Sequence, residues 1–149
     1  LFSRVPEGVN FVPPGHLTPI PIDELISSLS AILLDDEYYQ FVISGRKTKY
    51  GVPSWVGEDR LIPLKAVAWI EMNERVANGE TIDSKKINKH LSDVVQLSAL
   101  LAPSQRIDAP ETIKADLRAF MLAVAALNRP DQLQAVHRIS MAYGVDNVV

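Results

Sequence analysis

Asp83-Ser84-Lys85-Lys86-Ile87-Asn88-Lys89-His90-Leu91-Ser92-Asp93-Val94-Val95, continued by Gln96-Leu97-Ser98-Ala99-Leu100-Leu101, is the stretch that decides the fold. Ile87, Leu91, Val94, Val95, Leu97, Leu100 and Leu101 recur at three- and four-residue spacing, which predicts an amphipathic helix with that face turned inward. Asp83 or Ser84 begins it, and Pro103 stops it. Immediately upstream, Leu61, Ile62, Leu64, Val67, Ala68, Trp69, Met72 and Val76 predict a second, strongly apolar helix. It is expected to start at Pro63, whose missing N–H has no partner in a first turn anyway, and to run to Asn78 before Gly79.

The same spacing extends outward in both directions. Ile22, Leu25, Ile26, Leu29, Ile32 and Leu33 mark a helical face, with Asp23 and Glu24 in the first turn where the helix dipole favours anions. Asp35 or Asp36 caps a shorter helix carrying Tyr38, Tyr39, Phe41 and Val42, which Gly45 ends. Arg46 to Tyr50 and Gly51-Val52-Pro53 predict a small hairpin or a solvent-facing loop. Downstream, Asp108-Ala109-Pro110-Glu111 has the spacing of a capping box and predicts a helix to about residue 128. A last helix, from about Asp131 to Tyr143, should carry Leu133, Val136, Ile139 and Met141 inward and end near Gly144. Residues 6–21 hold five prolines among apolar side chains, which predicts an extended arm lying against the rest of the fold. The fold class is therefore α+β, mainly α, with a Pro-rich N-terminal arm and a small hairpin near residues 46–53.

Composition narrows the function classes. The 149 residues are 47% hydrophobic and 22% charged with a net charge of −3, as in an ordinary globular domain. There is no cysteine, so disulfides and thiol chemistry are excluded. No apolar run approaches the roughly 20 residues that span a bilayer, and the expected location is cytoplasmic. The chain opens on Leu1, not methionine, which predicts a fragment or processed piece. The slight negative charge provides no global attraction to nucleic acid or to an anionic membrane, so any polyanion contact must be local. Phosphate-loop, nucleophile-elbow and dinucleotide-binding motifs are absent.

Lys65 stands out as the only charged side chain between Leu61 and Ile70. An ammonium there must meet a carboxylate, reach a cleft, or snorkel to water along its stem. On the next helix Lys86 and His90 are four apart, as are Lys89 and Asp93, so each pair shares a face. One reading is a surface ion pair. The other places Lys89, His90 and Asp93 beside Lys65, where together they bind phosphate. Arg46, Lys47 and Lys49 next to Tyr50 form a small basic cluster that reads either as a solvated hairpin or as a phosphate-backbone contact. Trp55 and Trp69 read as core or subunit-contact residues, and the isolated His16 and His137 do not suggest a metal site.

Several strings in order resemble a family: Leu1-Phe2-Ser3-Arg4, His16-Leu17-Thr18-Pro19-Ile20, Ser27 to Asp36 followed by Tyr38-Tyr39, Leu61-Ile62-Pro63-Leu64-Lys65-Ala66, and Lys89-His90-Leu91-Ser92-Asp93. Over residues 1–101 the chain resembles bacterial nucleotidyltransferase-fold proteins related to the toxin components of abortive-infection systems. The resemblance implies the helical half of that fold over residues 22–102, with residues 103–149 as further C-terminal helices. It implies that Lys65, Lys89 and Asp93 face a nucleotide cleft, with His90 beside them. It also implies a nucleoside triphosphate and Mg²⁺ as cofactors of the intact protein; a homodimer or a cognate antitoxin-like protein is the partner expected of a non-catalytic chain. The family's Gly-Ser turn and metal-binding aspartates are not in this chain, so this piece alone is expected to be inactive. The alternative is a non-catalytic helical interaction or dimerisation module.

Overall fold

The computed structural model describes Ile32, Leu33 and residues 35–146. The expected arm over residues 1–21 and most of the helix expected from Ile22 lie outside the described residues. Within them the chain is mainly helical, with one two-stranded antiparallel sheet. The elements are α1 (Asp36–Ser44), β1 (Arg46–Lys49), β2 (Val52–Val56), α2 (Glu58–Ala77), α3 (Ser84–Ser98), α4 (Glu111–Ala125) and α5 (Pro130–Tyr143).

Asp35 caps α1 through its carboxylate, which accepts from the backbone N–H groups of Glu37 and Tyr38 at 2.9 and 3.1 Å. Tyr38, Phe41 and Val42 then share the buried face. Arg46 pairs with Val56, Lys47 with Trp55 and Lys49 with Val52, so one extra β2 residue lies opposite Thr48. Pro53 sits in that bulge, where its lack of an N–H costs no ladder bond. The two-residue turn needs a positive φ at its second position, and Gly51 supplies it at 75°.

Helix α2 begins at Glu58, five residues before the expected start, and Pro63 lies inside it. Proline is normally excluded there because it leaves the carbonyl four residues back without a donor. That carbonyl belongs to Asp59, and the Tyr143 hydroxyl donates to it at 2.7 Å. The missing helical bond is thus replaced from α5. The helix ends as expected, at Asn78 before Gly79 with its φ of 94°.

Asp83 caps α3, its carboxylate accepting from the Lys85 N–H at 2.9 Å. The helix stops at Ser98, so Leu100, expected inward, is exposed. Helix α4 is shorter at both ends than the sequence suggests: Pro110 itself takes the cap position, with no side-chain cap bond from Asp108. Helix α5 opens on Pro130 and closes at Gly144, whose φ of 60° lets the Val145 N–H return to the Ser140 carbonyl. Met141, expected inward, lies on the exposed surface, as does Val76 at the end of α2.

Helix α2 is the centre of the packing, making its most extensive contact with α3 and a further one with α4. Ile62, Leu64, Met72, Val94, Ile113, Leu117, Phe120 and Ile139 are almost completely excluded from water. Trp69 meets Phe120 edge to face, with centroids 5.5 Å apart and planes at 84°. Trp55 by contrast is 44% exposed on the hairpin, so of the two tryptophans only Trp69 is a core residue.

Candidate functional site

The α2–α3 contact brings the two lysine-containing motifs together. Lys65 Nζ lies 2.8 Å from Asp93 Oδ2, with the side chains 14% and 26% exposed. Asp93 therefore resolves the conflict noted for Lys65: a cation amid apolar neighbours on α2 is neutralised from the facing helix. No ion pair joins Asp93 to Lys89 among the described residues, although the two are one turn apart on α3. Lys89 is exposed.

His90 occupies a different environment from its neighbour. It is completely buried, and neither Nδ1 nor Nε2 has a hydrogen-bond partner. Burial pushes its pKa down to about 4; the positive charges of Lys65 and Lys89 act in the same direction and Asp93 opposes them. At neutral pH the ring is uncharged, so it adds no positive charge to a phosphate site. The structure thus joins Lys65 and Asp93 directly, leaves Lys89 in solvent on the same helix, and places His90 in the interior behind them.

A second polar cluster escaped the sequence reading. The Tyr38 hydroxyl donates to Asp116 Oδ2 at 2.7 Å, tying α1 to α4. Tyr38, Glu71, Glu74, Asp116 and Asp35 line a cleft of about 390 Å³. Burial and the like charges of Glu74 and Asp116 raise the Glu71 pKa, while Arg75 opposes them. Burial and the Asp116 carboxylate raise that of Tyr38. No local sequence signal marks the Tyr38–Asp116 contact, since its partners are 78 residues apart.

Among the described residues no group of three His, Cys, Asp or Glu is arranged to hold a metal ion, and no helix is long and apolar enough to cross a membrane. Compared with protein-family models, curated proteins and solved structures, the chain gives no match.

Proposed function

We propose that this chain is the helical portion of a nucleotidyltransferase-like protein, in which Lys65 and Lys89 present positive charge to the phosphates of a nucleoside triphosphate. The Lys65–Asp93 pair carries the reading, because it joins two of the five strings on which the resemblance rests. An ammonium has three N–H donors; Asp93 takes one, and two remain for phosphate oxygens. Asp93 holds the lysine in one position, and Lys89 adds a mobile cation from solvent on the same helix. His90 contributes an uncharged, buried wall behind the pair, where a lower local dielectric strengthens the attraction between ammonium and phosphate.

Magnesium needs carboxylate oxygens beside the phosphates. The described residues do not fit that role, since Asp93 is engaged by Lys65 and no acidic cluster is arranged for a metal. In this reading the chain binds phosphate, and metal-held transfer chemistry belongs to the sheet-bearing half that the resemblance implies. The cytoplasm, with its triphosphate pool, is the corresponding location.

The test is calorimetric titration of the chain with ATP, GTP, CTP and UTP in the presence of Mg²⁺. At least one triphosphate should bind. Lys65→Ala should weaken that binding more than tenfold, while Asp93→Asn, which releases the ammonium, should retain it. Unchanged affinity in a folded Lys65→Ala protein removes Lys65 from the site.

A further inference from the structure

The hairpin β1–β2 combines positive charge with exposed aromatic rings. All four β1 residues are exposed, and so are Val52, Pro53, Ser54 and Trp55 of β2. Tyr50 is fully exposed at the turn, and Trp55 is 44% exposed directly across from Lys47. Between Gly45 and Gly57 there are three cations and no acidic residue, in a chain whose net charge is −3. Arg46, Lys47 and Lys49 form no ion pair with the described residues. Lys47 leans back toward the base of the hairpin, where a methyl group on Gly57 would stand 2.8 Å from its Nζ and 2.8 Å from Asp59 Oδ1. Only Val56 turns toward the body and packs against the core.

We propose that this hairpin binds single-stranded nucleic acid, with Arg46, Lys47 and Lys49 on phosphates and Tyr50 and Trp55 stacked against bases. Flat rings beside cations, on a hairpin whose own sequence holds no carboxylate, match a strand that exposes both bases and phosphates. A solvated hairpin has no need of two exposed aromatics beside its cations. A lipid surface would call for buried aliphatic area, and Val52 is the only exposed aliphatic side chain here. With a net charge of −3 the chain has no global attraction for a polyanion, so the contact rests on local cations such as the three of this hairpin. The inference is independent of the role given to Lys65.

The experiment is fluorescence anisotropy of labelled oligothymidylate and oligouridylate titrated with the full chain, the two arms separating DNA from RNA. At least one should bind, with three phosphate contacts giving a salt slope near −2. Raising salt from about 50 to about 200 mM should then weaken binding by roughly 20-fold. Reversing Arg46, Lys47 and Lys49 to Glu together should abolish binding with the circular dichroism and Tm unchanged. Tyr50→Ala, at a position whose side chain is fully exposed, should weaken it at least fivefold. No anisotropy change with either oligonucleotide, binding that survives the triple reversal, or binding of anionic phospholipid vesicles but not of oligonucleotides would each overturn the proposal.

Discussion

The hydroxyl of Tyr143 donates to the carbonyl of Asp59 at 2.7 Å, closing the gap that Pro63 opens in α2. Two features that each look unfavourable alone, a proline inside a helix and a buried tyrosine hydroxyl, satisfy one another. Burial raises the Tyr143 pKa well above its ordinary value, so the hydroxyl keeps its proton and stays a donor across the physiological range. Tyr143→Phe should cost about 1–3 kcal/mol in urea unfolding, since it leaves a buried carbonyl without a partner. In a Pro63→Ala background, residue 63 regains an N–H that can make the helical bond, and the same tyrosine change should cost less. Equal costs in both backgrounds would show that the two residues act independently.

The Lys65–Asp93 pair makes a second stability prediction that is separate from ligand binding. Asp93→Ala leaves an ammonium among apolar neighbours and should cost about 1–3 kcal/mol, less than breaking a fully buried pair because both partners reach water. Lys65→Met keeps the stem packed and removes the charge, so it should cost less than Asp93→Ala. Denaturant midpoints of the two variants and of the double variant decide it, and a double variant close to Lys65→Met alone is the expected result.

What was legible in the sequence is what depends on local order. Helix α3 follows from its own spacing and its Asp83 cap, and α5, expected from about Asp131, from its apolar spacing and the Gly144 at its end. The start of α2 is not legible locally, because the rule that puts proline in a first turn looks only at neighbours, whereas the donor that allows Pro63 inside the helix lies 84 residues from the carbonyl it serves. Pro110 likewise takes the cap position that Asp108 was expected to hold. For the candidate site, the need of Lys65 for a carboxylate could be read from its apolar neighbours. That Asp93 answers Lys65, and not Lys89 one turn away, depends on how α2 and α3 pack. The burial of His90, directly after the exposed Lys89, is a property of that packing too.

Gly45 joins α1 to the hairpin with the Arg60 side chain lying directly against it. A methyl group at this position would collide with that side chain, including its Cγ at 2.5 Å and Cδ at 2.6 Å. Arg60 in turn lies over the Phe41 ring, 4.1 Å from its centroid. Gly45→Ala should therefore displace the guanidinium from the ring and cost about 1–3 kcal/mol. Gly51→Ala would meet no neighbour, and its cost would come only from the positive φ of the turn. Thermal melts of the two variants separate steric displacement at Gly45 from backbone strain at Gly51.

His90 predicts how stability responds to acid. Its folded pKa is lowered to about 4, so between that value and the ordinary histidine range the unfolded chain binds a proton that the folded chain does not. Stability from this residue is complete above the unfolded pKa and is lost as pH falls toward the folded one, by roughly 3 kcal/mol in all. Glu71 acts in the opposite sense: its raised pKa favours the folded state when protonated, and that contribution disappears as pH rises through the folded value. Glu71→Gln should accordingly raise Tm at pH 7 and leave the histidine-dependent decline in place. His90→Leu fills the same buried position without an unpartnered ring nitrogen, so it should hold or raise stability at pH 7 and flatten the decline between pH 7 and pH 4. Urea unfolding across that range checks both variants, and an unchanged acid decline in His90→Leu would mean that other groups control it.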